Sequence, residues 1–231
     1  HEGLVREYWC VEVTESGTLE ATIRARGKNP SEVRSMKVSG VLNHKDLRFI
    51  GNQMGGLRAL NVSDVTITGT EEEKNVFSLG KSFYMRGTPM GNLSHIVLPS
   101  NIKKIGDHAL TGVGLIGSIS IPNGVEYIGV EAFCGNQLNG ELKLPSSLKI
   151  LRGGAFAFNS FSGNLNLPDG LEIIGPKEYG AQDYDIFMGS NFEGPLLLPS
   201  NLKEYGGLGF SGTTGTLVIP KFLTEIDATV D

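Results

Sequence analysis

The stretch SISIPNGVEYIGVEAF, residues 118–133, decides the fold. It is a short alternation of aliphatic residues ended by a proline, then two aliphatic residues three apart, then a glycine and a phenylalanine. The same order recurs in HIVLPSNIKKIGDHAL (95–110), ELKLPSSLKILRGGAF (141–156), NLNLPDGLEIIGPKEY (164–179), PLLLPSNLKEYGGLGF (195–210) and TLVIPKFLTEIDATV (216–230). The prolines of the six copies, Pro99, Pro122, Pro145, Pro168, Pro199 and Pro220, are spaced 23, 23, 23, 31 and 21 residues apart. Self-similarity at such a period marks an array in which each repeat is a unit that cannot bury its apolar face alone and must stack on its neighbours.

Within a copy, Ile119 and Ile121 set a period of two that belongs to a short strand with both side chains inward. Their equivalents are Leu142 and Leu144, Leu165 and Leu167, Leu196 and Leu198, and Leu217 and Ile219. Proline ends each strand because it has no N–H for the ladder. This first segment is therefore expected to form the main parallel sheet, with Ile119, Leu142, Leu165, Leu196 and Leu217 in register. The pairs Ile102/Ile105, Val125/Ile128, Leu148/Leu151, Leu171/Ile174, Leu202/Tyr205 and Leu223/Ile226 are expected to fill the core from a second side. Phe133, Phe156 and Phe210 are expected to plug the following corner. Two glycine columns punctuate the coil. Gly117, Gly140, Gly163, Gly194 and Gly215 precede the first segment as turns, and Gly106, Gly129, Gly175 and Gly206 follow the second, where positive φ is expected. Arg152 replaces a glycine of this second column.

The glycines also raise a false lead. Gly112, Gly114 and Gly117 spell the dinucleotide spacing G-x-G-x-x-G, but that motif must follow a strand and open a helix. Here β-branched SISIP follows, and Gly117 is a repeat turn. Other enzyme signals fail in the same way. His1, His44, His95 and His108 form no H-E-x-x-H and no zinc spacing with a cysteine, and around Ser211 the sequence GFSGT misses the nucleophile elbow by one residue. Cys134 with His108 as base is weaker than Cys134 as a small core filler beside Phe133. No catalytic residue, cofactor or metal is assigned, and an enzyme is the outsider.

The chain has 231 residues, 39 % hydrophobic and 19 % charged, a balance that supports a folded core. Its net charge of −5 gives no basic footprint for nucleic acid, and no apolar run is long enough to be read as a transmembrane segment. The opening HEGLVREYWC has no charged-then-apolar leader, so any export signal is expected to have been removed or never to have been part of this sequence. Cys10 and Cys134 are expected to be two buried free thiols.

Two earlier segments, VRSMKVSG around Met36 and LRALNVSD around Leu60, lie 24 residues apart with NHKDLRFIGNQM between them as an expected short helix. GTLEATIRARG has the character of a capping helix. The pattern LPSSLKxIGxxAF resembles the BspA-type leucine-rich repeat proteins of bacterial cell surfaces, and GTLEATI…LRALNVSDVTI resembles the N-terminal region of their Bacteroides-like members. The resemblance implies a leucine-rich repeat solenoid, mostly parallel β with short helices near the N-terminus. It also implies secretion or surface attachment, and adhesin-like binding of a host or neighbouring-cell protein or glycan. The expected organisation is a cap over 1–30, degenerate helix-bearing repeats over 31–92 and six tandem repeats over 93–231, in one right-handed solenoid. The column Asn101, Gly124, Ser147, Gly170, Asn201 and Phe222 departs from the asparagine column of standard repeats, so no asparagine ladder is expected to hold this spine.

Two candidate surfaces follow. One is the outward row Val97, Ser120, Lys143, Asn166, Leu197 and Val218, apolar at its C-terminal end. The other is the eight-residue insertion of the 31-residue repeat, where Tyr179, Tyr184 and Phe187 would supply apolar area and Asp183 and Asp185 acceptors for a sugar hydroxyl or a cation. A structural spacer within a larger surface protein is the alternative reading. A last column, Lys103, Glu126, Lys149, Glu172, Lys203 and Thr224, alternates in sign and is expected to lock coil register.

Overall fold

The computed structural model describes residues 7–80, 91–175, 185–194 and 196–206, and the backbone of Leu217–Val218. The chain begins with β1 (Trp9–Val13), α1 (Leu19–Ala25), a 3-10 turn at Pro30–Glu32, β2 (Ser35–Leu42), α2 (His44–Gln53) and β3 (Ala59–Ile67). There follow β4 (Val76–Phe77), β5 (His95–Val97), β6 (Lys104–Ile105), β7 (Ile116–Gly117), β8 (Tyr127–Ile128), β9 (Gln137–Gly140) and β10 (Ile150–Arg152). The last elements are β11 (Ser160–Asn164), β12 (Ile173–Gly175), β13 (Asn191–Glu193), β14 (Leu196–Leu197), β15 (Glu204–Tyr205) and β16 (Leu217–Val218). Every strand pair is parallel, as stacked coils of one hand require.

The helix expected in NHKDLRFIGNQM is α2. Asn43 accepts from the Lys45 and Asp46 N–H groups, and Asp46 accepts in return from the Asn43 N–H, which completes a capping box. Asp46 does more than cap. Its buried carboxylate also accepts from the Gly17 N–H at 2.5 Å and the Leu19 N–H at 3.0 Å, tying the turn before α1 to the next coil. Segment 1–30 contributes β1, paired with β2 along its whole length, and α1, which lies beside α2.

The tandem coils have three sides. Among the described residues the second segment carries the longest sheet, in the order β4-β6-β8-β10-β12-β15, which runs in chain order through the fifth copy. Lys104 pairs with Tyr127, Tyr127 with Ile150, and Ile150 with Ile173, so one register holds from coil to coil. A second sheet, β7-β9-β11-β13, forms the side after the corner.

The first segment departs from expectation. It forms ladder strands at β5, which extends the N-terminal sheet β1-β2-β3-β5, and at β14-β16, where Leu196 pairs with Leu217 in the expected register. Between them, around Ile119, Leu142 and Leu165, the segment is not laddered. The flanking residues alone do not set this, because β14 is laddered although it too lies between a positive-φ glycine, Gly194, and a proline, Pro199.

The core follows the alternation closely. Leu142, Leu165 and Leu196 are buried, while Ile119, Leu144 and Leu167 are partly buried against the core. On the second side Ile102, Ile105, Val125, Ile128, Leu148, Leu151, Leu171, Ile174 and Leu202 are all buried, and Tyr205 is half-buried. Phe133 and Phe156 stack at the corner with ring centroids 5.1 Å apart, and Phe187 continues the stack at 5.8 Å. Phe210 lies outside the described residues.

The asparagine expectation needs correction, because a buried ladder exists in a different column. Three residues after the corner phenylalanine, Asn136 and Asn159 are buried, with Ser190 in the same place one coil on. The Asn159 Nδ2 donates to the carbonyls of Phe156 and Phe133, both at 2.9 Å, which joins its own coil to the one before. Its Oδ1 accepts from the Leu138 N–H at 3.1 Å. Asn136 does the same with Phe133, Leu110, Gly114 and Leu115.

The glycine columns divide by cause. Gly117, Gly140, Gly163 and Gly194 have φ of 72°, 77°, 81° and 85°, so backbone conformation demands glycine there. In the other column Gly175 has φ of 96°, whereas Gly129 is required by close approach, since a Cβ would collide with the Asp107 backbone N and carboxylate in the coil before. Arg152 is accommodated at the end of β10, opposite Gly175, and the coil turns as its neighbours do.

Candidate binding surface

The outward row of the first segment is exposed in every described member. Val97 and Leu197 are 43 % and 62 % exposed, and Ser120, Lys143 and Asn166 are exposed between them. Leu197 lies opposite Val218, which is described by its backbone. The N-terminal sheet lengthens the row beyond what the repeats indicated, because Val97 pairs with Asn61, Asn61 with Lys37, and Lys37 with Cys10. The signal was present in the sequence: Lys37 and Asn61 directly follow Met36 and Leu60, the residues that marked the earlier repeats. Lys37 is held 2.7 Å from Asp64, and this contact keeps the Asp64 carboxyl below its ordinary value and raises the lysine.

Cys10 corrects the expectation of two buried thiols. It is exposed because strand alternation in β1 turns Val11 and Val13 inward and Cys10 and Glu12 outward. Cys134 is buried as expected, and burial pushes its thiol up to about 12, which removes the thiolate that a nucleophile needs.

Of the insertion residues, Tyr179, Asp183 and Tyr184 lie outside the described residues. Asp185 is exposed. Phe187 corrects the expectation of a surface aromatic: it is fully buried as the corner phenylalanine of its coil, stacked on Phe156 and edge-on to Phe192 at 5.3 Å. The extra residues therefore enter between Gly175 and Ile186, ahead of the corner.

The corner itself carries one histidine. The His108 Nδ1 lies 3.4 Å from the Glu131 carboxylate of the next coil, and this hydrogen bond raises the His108 pKa above its ordinary value against the opposing effect of burial. Both residues sit at positive φ, 52° and 50°, in a place that Gly154 fills one coil later at 63°. A pair held by backbone geometry in a stacked corner is a structural contact.

The alternating charges form the expected ladder in part, since Lys149 and Glu172 make no ion pair within 4.0 Å. Glu126 lies between Lys103 at 3.5 Å and Lys149 at 2.8 Å, and Lys203 reaches Glu172 at 2.7 Å. The contact with Lys149, followed by that with Lys103, holds the Glu126 carboxyl below its ordinary value. Beneath the side chains the backbone repeats the register: the N–H groups of Glu126, Lys149, Glu172 and Lys203 each donate to the carbonyl of the previous ladder residue, at 2.8, 2.9, 2.8 and 2.7 Å. Thr224 lies outside the described residues. The lysines are exposed and the glutamates half-buried at the surface, so their pairing is screened by salt. Glu126→Lys is expected to lower the melting temperature more than Glu126→Ala at low ionic strength, with the gap closing at high salt. Equal melting temperatures at low salt would contradict the ladder.

Among the described residues no group of three or more His, Cys, Asp or Glu side chains could hold a metal ion, and no helix is long and apolar enough to cross a membrane. A comparison with curated proteins finds no significant match. The family described as the BspA type leucine rich repeat region matches residues 82–181, in six copies. With their 23-residue period and parallel stacked strands, residues 82–181 of this chain are identified as a BspA-type leucine-rich repeat region, a kind of repeat that serves as a protein-interaction module.

Proposed function

We propose that the chain is an adhesin-like module of the cell surface or of a secreted protein, and that it binds a protein of a host or neighbouring cell across the row from Val97 to Val218. One observation carries the reading: Leu197 and Val97 are two of the four large hydrophobic side chains exposed among the described residues, and both stand in this row. Apolar groups held exposed on ordered strands recover hydrophobic free energy only when a partner covers them. Ser120, Lys143 and Asn166 between them supply polar contacts around these apolar anchors, as interfaces require. Coils held together by the second-segment sheet have little conformational entropy left to lose on binding. The insertion, with Tyr179, Asp183, Tyr184 and Asp185, is a second candidate surface. The surface location rests on the habit of the family.

The test is surface plasmon resonance of the protein over immobilised extracellular-matrix proteins. Binding is expected, with Leu197→Glu weakening it by at least about tenfold, the effect of losing a buried apolar anchor. Lys149→Ala, on a different side of the coil, is expected to leave it unchanged. Absence of binding, or Leu197→Glu binding as the parent does, would contradict the proposal.

A further inference from the structure

The side of the coil formed by β7, β9, β11 and β13 differs chemically from the other two. Its outward residues include Gln137, Asn139, Ser160, Ser162, Asn164 and Asn191, all exposed and uncharged, with exposed Ile116 beside Gln137 at one end and exposed Glu193 beside Asn164 at the other. Their inward neighbours Leu138, Phe161 and Phe192 are buried, so the outward set is fixed by strand alternation and cannot turn into the core. Pairing across the sheet sets Asn139 beside Ser160 and Ser162 beside Asn191. Gln137, Ser160, Ser162, Asn164 and Asn191 make no side-chain hydrogen bond among the described residues, and Asn139 makes one long contact of 3.4 Å to the Gln137 carbonyl. Amide and hydroxyl groups are thus presented in rows, with their donors and acceptors unspent within the protein.

Beside them runs a bare strip. Gly117, Gly140 and Gly163 stand one per coil at positive φ, and a Cβ at any of them would meet nothing within 4 Å. Successive coils therefore leave a shallow furrow along the array, with backbone on its floor and planar polar side chains on one flank.

We propose that this side binds an uncharged polysaccharide, lying along the furrow across successive coils. The charge pattern selects the partner. The neighbouring side carries the Lys–Glu ladder, whereas here the one outward charge is Glu193 at the β13 end and the six neutral polar positions offer none, so a charged ligand gains little along them while a neutral one loses no ion hydration. The groups also match, since sugar hydroxyls both donate and accept, as amides and hydroxyls do. The spacing matches as well: stacked strands are about 4.8 Å apart, close to the advance per residue of an extended β-linked hexose chain, so one contact set can repeat at each coil. This site is independent of the row through Val97 and Leu197, and either can fail without the other.

The probes are insoluble cellulose and chitin in a pull-down, and soluble β-glucan and mannan in affinity gel electrophoresis. Retention on at least one of them is expected, unchanged by high salt because no ion pair is involved. Asn139→Lys combined with Ser162→Lys is expected to weaken it by at least about tenfold, as the loss of two hydrogen-bonding groups from a polar interface does. Asn139→Ala with Ser162→Ala, which adds no bulk or charge, is expected to weaken it less, and the circular dichroism melting curves of both variants should match the parent, since every substituted residue is exposed. The proposal is overturned if none of the four polysaccharides retains the protein, if high salt abolishes retention, or if the lysine double variant is retained as the parent is. Binding of a protein through this side, blocked by the same lysines, would overturn it equally.

Discussion

Phe156→Ala is expected to lower the unfolding free energy by about 3–5 kcal/mol, the usual cost of emptying a phenylalanine site in a packed core. The site is placed so that little can collapse into it. The Phe156 ring is stacked between Phe133 at 5.1 Å and Phe187 at 5.8 Å, and Phe161 meets it edge-on at 5.8 Å. All four are buried, and each belongs to a coil pinned by ladder bonds above and below. Removing the ring therefore breaks a column rather than one contact, and the cavity sits between two rigid turns. Phe156→Leu should recover part of the loss by refilling volume without aromatic contact. Urea denaturation of the three proteins gives the comparison, and a cost below about 1 kcal/mol for Phe156→Ala would show that the corner is not packed as described.

Asn159→Ala is the second change expected to have a large effect, about 3 kcal/mol or more. The side chain satisfies the Leu138 N–H and the carbonyls of Phe133 and Phe156, with a longer bond to Ala157 at 3.3 Å. These backbone groups face the interior, where an orphaned donor or acceptor costs about 1–3 kcal/mol. Alanine leaves several unpaired at once, and the corner is too filled by phenylalanine to admit water to all of them. Asn101→Ala provides the contrast. Asn101 is exposed and makes one bond of 3.4 Å to Thr66, so its loss should fall within about 0.5 kcal/mol. Similar costs for the two asparagines would contradict the interior ladder.

Much of this architecture could be read from the residues. The recurrent proline spacing gave the coil, alternation told which side chains face inward, the amphipathic stretch NHKDLRFIGNQM marked α2, and the signs of Lys103, Glu126 and Lys149 marked neighbours that do touch. What alternation cannot tell is whether a strand's N–H and C=O groups reach the next coil. The first segment has the stronger pattern, yet around Ile119, Leu142 and Leu165 it forms no ladder, and the plainer second segment carries the sheet. The asparagine column was hidden because its members read Val113, Asn136, Asn159 and Ser190, a mixture that becomes a ladder only when buried carbonyls surround it. Phe187 was more accessible to reasoning: it follows Phe156 by 31 residues, as Pro199 follows Pro168, and that shared offset places it in the corner. Of the candidate row, periodicity found the C-terminal part. The N-terminal part needed the pairings through Asn61 and Lys37.

Two corrections bear on function. Burial of Phe187 removes an aromatic from the candidate surface and leaves Val97 and Leu197 as its apolar anchors. Exposure of Cys10 places a thiol at the N-terminal end of the same row, where it can carry a label for mapping a partner's contacts without entering the core.

The central structural claim is that register between coils is held by the second segment, whose backbone runs as one hydrogen-bonded line from Lys103 to Lys203. Native-state amide hydrogen exchange tests it directly. The amides of Glu126, Lys149 and Glu172 are predicted to exchange slowly and at a common rate set by global opening, while those of Ser120 and Lys143 in the first segment, which have no ladder partner, exchange faster. Fast exchange at Glu126, Lys149 and Glu172, with protection at Ser120 and Lys143 instead, would place the sheet on the other side of the coil and contradict this account.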